Sequence, residues 1–345
     1  MTGYQAALAS SAVAARSDRG CLRVTGKDPF GMLQGILTNS VPAAPRASGS
    51  GTTGTAAYAA VLTPKGRMVS DLRVVRGPRA DEEGLLLDVP EAARAGLLAH
   101  LAMYVPPRLA RIADVTDTTA TLTVAGPGAA ALLSREAFGL RVEAEELVAL
   151  AEGEWRWIDT GGVGTLAVRS GDLAASSWDL FTDPGAASAL RTRLLEVGAS
   201  DLSLDELTAL RVEAGRPAWG ADLDETTIPP EAGIDARAID HGKGCYTGQE
   251  VIVRIRDRGH VNRRLRGLRL EDAPLPAPGV ELWVEGRDQP VGRVTSAVAS
   301  PRAGQGLALG YVRREVESPG EVRLGAPDGA RVAMVELGPE WWRRS

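Results

Sequence analysis

Apolar and polar residues alternate from Cys21 to Thr25, the two-residue period of a short strand. Gly26-Lys27-Asp28-Pro29 breaks the alternation, with Asp28 placed to cap a helix and Pro29 suited to its first turn. That helix is expected over residues 30–37, with Met32, Leu33, Ile36 and Leu37 on one face. Residues 42–54 are rich in Pro, Gly, Ser and Ala and read as an exposed loop. A hairpin follows, with strand 55–62, the turn Thr63-Pro64-Lys65-Gly66 and the return 67–76. Next come a strand at 85–89, a helix opening at Pro90-Glu91 and reaching Met103, and a strand at 108–115. The pattern repeats with a strand at 119–125, Gly126-Pro127-Gly128 and an Ala-rich helix to Phe138. Strands at 155–158, 165–168 and 178–181 lead to a helix from Pro184 to Val197. Residues 204–214 are amphipathic, with Leu204, Leu207, Leu210 and Val212 on the buried side. A further helix is expected from about Gly244 to Arg258.

The chain changes character at Asn262. Short strands at 264–270, 280–284, 291–299, 307–312, 322–324 and 331–335 are separated by Gly/Pro turns such as Ala277-Pro278-Gly279. This tail reads as a small separate β-barrel or sandwich. The first 260 residues interleave strands and helices, so the fold class is α+β.

At 345 residues the chain has room for two or three domains, and 44% apolar with 24% charged residues is an ordinary globular mixture. A net charge of −5 excludes a general nucleic-acid coat protein, which needs a broad basic surface. It leaves room for a local cluster: Arg254, Arg256, Arg258, Arg263, Arg264 and Arg266. Two cysteines, Cys21 and Cys245, make no disulfide framework, and neither they nor the three histidines have metal-ligand spacing, so no metal is expected. The weakly polar stretch 6–15 follows no Lys or Arg, which argues against a signal peptide, and no run of 18 apolar residues exists. A soluble cytoplasmic protein is the expectation. Of the 39 basic residues only Lys27, Lys65 and Lys243 are lysine. In a chain that has drifted to arginine, a remaining lysine marks a place where a compact point charge cannot be exchanged for a planar fork.

Lys243 lies in the most specific segment, Lys243-Gly244-Cys245-Tyr246-Thr247-Gly248-Gln249-Glu250. If a helix starts there, its free N–H groups favour anions, and a thiol beside a lysine ionises more readily. The alternative is a Gly-rich turn with Cys245 as small filler. The segment resembles the signature of the YgfZ-type folate-binding proteins, relatives of the glycine-cleavage T protein and of the mitochondrial iron–sulfur assembly transferase. The resemblance extends to residues 26–40, to the hairpin 57–76, to Arg211–Pro217 (RVEAGRP), to Ile228-Pro229-Pro230-Glu231 and to Ala308–Val312.

The resemblance implies a three-domain ring around a central folate pocket, with residues 1–115 and 200–260 in a discontinuous first domain, 116–199 in a second and 262–345 in the barrel. Its ligand would be tetrahydrofolate or a derivative. Glu213, at the EAG position, is the candidate acceptor for the side-by-side donors of a pterin. Arg254 and Arg258 are candidates for the anionic tail, with Tyr246, Gln249 and Glu250 of the signature as further binding residues. Asp71 stands where the T protein has an Asp pair, here Ser70-Asp71, and is the candidate acid–base. The stretch Arg169-Ser170-Gly171-Asp172 lacks the T protein's GYTGE loop. Cys245 and Lys243 are the candidate reactive pair. The resemblance alone implies support of iron–sulfur cluster assembly or repair in client enzymes, some of them tRNA-modifying, with folate and client proteins as partners, no membrane and a monomeric state. The alternatives are a tetrahydrofolate-dependent aminomethyl or one-carbon transferase and a non-enzymatic RNA-binding module using the arginine cluster.

Overall fold

The computed structural model describes residues 1–48, 51–78, 84–134, 142–159 and 163–343. The expected helix to Phe138 is described only as Ala129–Leu133, since its remainder lies outside the described residues.

Twelve strands form one sheet: β1 (Ala12–Ala15), β2 (Arg19–Gly26), β3 (Arg46–Ser48), β4 (Gly51–Leu62), β5 (Met68–Val75), β6 (Leu85–Pro90), β7 (Ala110–Asp114), β8 (Ala120–Ala125), β9 (Glu154–Asp159), β10 (Gly164–Ser170), β11 (Ser177–Thr182) and β12 (Ser200–Asp201). The order is β12–β1–β8–β11–β10–β9–β4–β5–β6–β2–β7, with β3 attached to β4. β1 and β12 run parallel, and the other neighbours along this path are antiparallel.

β4 joins the two halves. Thr53–Thr55 pair with β9, and Ala56–Leu62 pair with β5. The expectation of a loop over 42–54 is therefore corrected: β3 and the start of β4 occupy its second part. The small residues that suggested a loop serve close packing. A Cβ on Gly54 would lie 2.5 Å from the Trp155 ring, whose indole N–H donates to Thr55 O at 3.1 Å. Two apolar clusters cover the halves, one around Leu22, Leu33, Leu72, Leu87 and Leu97, the other around Leu122, Val124, Trp178 and Leu194.

The tail is a closed six-stranded barrel, ordered β13 (Arg263–Glu271), β16 (Gln305–Arg313), β15 (Gly292–Ser300), β14 (Glu281–Trp283), β17 (Gly320–Leu324), β18 (Arg331–Val335). It docks on the sheet face that carries Ala60, Leu62 and Met68, through Leu265, Leu309, Tyr311 and Trp341. Among the described residues no helix is long and apolar enough to cross a membrane.

A buried ionic chain ties the sheet halves together. Arg73 on β5 pairs with Asp88 on β6 at 2.6 Å and with Asp179 on β11, also at 2.6 Å. Arg19 adds a second bond to Asp88 at 2.8 Å. Both carboxylates are essentially inaccessible, at 0% and 1% side-chain exposure. Burial alone would raise the Asp88 pKa, but Arg19 and Arg73 overcome it and hold the carboxyl below its ordinary range. Removing one partner of such a set strands buried charge. Arg73→Met is expected to cost about 3–5 kcal/mol in urea unfolding. The contribution of ionised Asp88 is complete above about pH 4 and falls away as the pH drops further. Wild type should therefore lose stability in acid faster than Arg73→Met.

Candidate functional site

Successive residues of a strand face opposite sides. On β5, Leu72 enters the core beneath the helices, while Asp71 and Arg73 face the other way, with Tyr58 of β4. That face closes a cavity of about 710 Å³. Asp172, Arg216 and Trp219 line it from loops, Arg237 from the short Asp235–Ala238 helix, and Thr295 and Ser296 from the barrel. Sheet, loops and barrel thus all contribute walls.

Asp71 Oδ2 accepts a hydrogen bond from the Tyr58 hydroxyl at 2.9 Å. Its Oδ1 is buried and has no hydrogen-bond partner among the described residues. Burial pushes the Asp71 pKa up, and Arg19 and Tyr58 restrain the rise only in part. Tyr58 is itself shifted well up by burial and by Asp71, and the Arg237 guanidinium lies 4.8 Å from its ring centre. Asp172 behaves oppositely. Burial would raise it, but Arg237, bonded to it at 2.9 Å, and Arg73 hold it below the ordinary carboxylate range. Two carboxylates in one cavity are driven apart, one toward the neutral form and one toward the charged form. Asp172 came from the loop that departs from the T-protein pattern, and only its neighbourhood to Arg237 in space marks it.

The structure places the other expected site residues elsewhere. Glu213 is 1% exposed rather than at an open helix end, and the Tyr4 and Ser300 hydroxyls donate to its Oε1. It lines a different cavity. Arg254, Arg258 and Glu250 are exposed on the Gln249–Arg258 helix, Gln249 is half-buried, and none of them lines the Asp71 cavity. Tyr246 packs in the seam under the barrel. The expected helix start at Gly244 is corrected: the cap is Gly248, at φ 83°, and the helix begins at Gln249. The hairpin tip forces this, because a Cβ on Gly248 would sit 2.6 Å from Thr63 O. Cys245 is therefore an exposed loop thiol and does not sit on a helix N-terminus. Cys21, by contrast, is buried, and burial and Asp88 push its thiol up to about 12. In the arginine cluster, Arg256 pairs with Asp257, Arg263 with Glu231 and Arg266 with Glu336, which breaks up its positive face.

Lys243 is a tether. Its ammonium donates to Leu37 O at 2.6 Å and to Asn39 O at 2.9 Å, and burial lowers its pKa to about 8. Asn39 in turn donates to Tyr58 O at 2.9 Å and Arg237 O at 3.0 Å. The Cys245 loop is thus fastened to the segment that holds two cavity residues. A compact ammonium between two carbonyls is a position where a guanidinium fork does not substitute.

The chain matches the GCVT N-terminal domain over residues 4–241 and the glycine cleavage T-protein C-terminal barrel domain over residues 263–336. It belongs to the glycine-cleavage T-protein family. It is 33% identical over 310 residues to an aminomethyltransferase of Rubrobacter xylanophilus, covering 89% of this chain and 77% of that one. It is 30% identical over 316 residues to an aminomethyltransferase of Thermus thermophilus, covering 89% and 81%. The fold is that of the glycine cleavage system aminomethyltransferase T from Bartonella henselae, with a TM-score of 0.81 at 20% identity, covering 99% of this chain and 89% of that one.

Two outcomes follow from this geometry. Above the ordinary carboxylate range of about pH 4, the unfolded chain releases the Asp71 proton more readily than the folded protein does. Asp71→Asn should raise Tm at pH 7, and the gain should shrink toward pH 4. Lys243→Met should speed amide exchange over residues 240–248 and leave the far-UV circular dichroism unchanged.

Proposed function

We propose that the protein binds a reduced folate in the Asp71 cavity and uses the exposed Cys245 loop to support iron–sulfur client enzymes. The observation that carries the folate reading is Asp71 Oδ1, a buried acceptor without a partner in a cavity of about 710 Å³. Such an atom costs free energy until a donor reaches it, and the volume suits a ligand of folate size. Glu213 fits a pterin less well than it did on sequence grounds. Two hydroxyls already occupy Oε1, so the carboxylate cannot accept two side-by-side donors in a fork.

Tetrahydrofolate supplies nitrogen atoms that carry one-carbon units. The chain's own residues divide the remaining work. Asp172, held ionised by Arg237, accepts donors of the pterin. Asp71 presents Oδ1 to the cavity as an acceptor for a folate N–H, and Tyr58 fixes its other oxygen. Arg216 and Arg237 supply positive charge for an anionic tail. Trp219 forms a flat apolar wall.

The client-directed half of the proposal rests on the resemblance of Lys243–Glu250 to the YgfZ signature and on the exposure of Cys245. The cluster or its iron is cargo here and not a resident group. A second reading, folate-dependent aminomethyl transfer, is favoured by the position of Asp71 and by relatives named aminomethyltransferases. It gives Asp71 the role of the group exchanging a proton with a folate nitrogen.

The test is titration of the protein with tetrahydrofolate, followed by tryptophan fluorescence. Loss of one charge-assisted bond is worth about 1.5–3 kcal/mol, roughly ten- to a hundredfold in Kd. Asp71→Asn and Asp172→Asn should weaken binding by that order. Cys245→Ser should bind as wild type does and fail to restore iron–sulfur enzyme activity in cells lacking the protein. Wild-type affinity in both carboxylate variants would falsify the folate site. Full rescue by Cys245→Ser removes the thiol's role. Aminomethyl transfer by wild type that disappears in Asp71→Asn selects the second reading.

A further inference from the structure

Residues 35–40 lie between β4 and the Cys245 loop and bond to both. Toward β4, the Thr38 N–H donates to Ala60 O at 3.0 Å, and the Thr38 hydroxyl accepts the Ala60 N–H at 2.8 Å. Toward the loop, Thr38 O accepts the Asp240 N–H at 3.1 Å and Gly35 O accepts the Thr247 N–H at 3.2 Å. The Ser40 hydroxyl donates to Asp240 Oδ2 at 2.6 Å. The Lys243 ammonium, bonded to Leu37 O and Asn39 O, also lies 5.6 Å from the ring centre of Tyr246, the neighbour of Cys245. The loop that displays the thiol therefore has its footing on this one segment.

Asn39 connects that footing to the cavity. Its side-chain amide donates to Tyr58 O and to Arg237 O, and its Oδ1 accepts the Ser40 N–H at 2.8 Å. Two donors and one acceptor are in use, a set that neither aspartate nor alanine supplies. Asparagine occurs at only two positions in the chain, and this is one of them. The two carbonyls belong to different elements, β4 and the Asp235–Ala238 helix, and both residues turn their side chains into the Asp71 cavity. There the Tyr58 hydroxyl bonds Asp71, Arg237 bonds Asp172, and the guanidinium stands over the tyrosine ring. Neither Asn39 nor Lys243 lines the cavity. Two hydrogen bonds, one through each end of Asn39, thus separate the cavity residues from the Lys243 ammonium.

We propose that Asn39 is a positioning residue that couples the Asp71 cavity to the Cys245 loop, so that a ligand fixing Tyr58 and Arg237 also fixes the loop that presents the thiol. The ligand's purchase on those two residues is the differential interaction that such a shift requires. Coupling is reciprocal, so a loosened loop weakens the ligand by the same factor. The choice of probe rests on the folate reading, whereas the coupling itself belongs to the chain.

The test measures amide exchange over residues 240–248 in the full chain, with and without tetrahydrofolate, and follows binding by tryptophan fluorescence. Bound tetrahydrofolate should slow the wild-type loop about fivefold or more. Asn39→Ala keeps the main-chain carbonyl that holds Lys243 and should still bind, but its loop should exchange fast in both states. Lys243→Met, which leaves the cavity wall intact, should weaken binding by a similar factor. A loop that ignores bound tetrahydrofolate overturns the proposal, as does equal slowing in Asn39→Ala or wild-type affinity in Lys243→Met. Absence of binding to wild type defeats the folate reading instead, and the coupling is then read without ligand from Tyr58→Phe, which cuts only the bond to Asp71. Tyr58→Phe should speed exchange over 240–248 in the wild-type background and add nothing in Asn39→Ala. An unchanged loop in Tyr58→Phe overturns the coupling.

Discussion

The contact of Arg73 with two buried carboxylates is the constraint around which the body of the protein is organised. One carboxylate belongs to β6 and the other to β11, so a single guanidinium spans the sheet halves that carry the two α+β lobes. The planar fork suits that role, since it offers separate N–H donors in fixed directions. Its position has a second effect. Arg73 sits two residues from Asp71 on the same strand face, so the network that clamps the sheet also lies along the floor of the Asp71 cavity. Arg237, with help from Arg73, holds Asp172 ionised, while at Asp71 burial outweighs Arg19 and Tyr58. Opposite protonation tendencies in one cavity thus come from which carboxylate has a guanidinium bonded to it.

Local patterns in the chain reach far into this fold. The six barrel strands were legible because each is a short apolar run bounded by Gly/Pro turns, and each expected span overlaps an observed strand. The Asp28 cap and Pro29 at the helix start were legible for the same local reason, and Asp28 does accept the Gly31 N–H at 2.9 Å. The start of β4 was not legible. Gly51–Gly54 have loop composition, and they form strand because Trp155 needs a flat, side-chain-free surface beneath its ring, a partner about a hundred residues away. The helix after the signature failed likewise, since the hairpin tip dictates its first residue.

The candidate site shows the same division. Asp71 could be named from the hairpin's resemblance to the T protein, and its cavity-facing orientation followed once the strand phase was fixed. Asp172 and the role of Asn39 needed three-dimensional proximity that no local spacing carries. Glu213 was singled out for the right residue type in a helix-end motif, yet its environment comes from Tyr4 and Ser300, at opposite ends of the chain. Lys243 was chosen for its nearness to a thiol. What the structure adds is a link from that loop through Asn39 to the backbone of Tyr58 and Arg237, so that loop and cavity share one support.

The through-running strand β4 has a mechanical consequence. A strand hydrogen-bonded to β9 along its first part and to β5 along its second leaves no hinge line between the two lobes. They move as one plate. The barrel, by contrast, meets that plate across a side-chain seam and is reached through the Gln249–Arg258 helix that follows the signature. Any opening of the space between them therefore falls to the barrel, at the short connection between that helix and β13, while Lys243 keeps the Cys245 loop fastened to the plate.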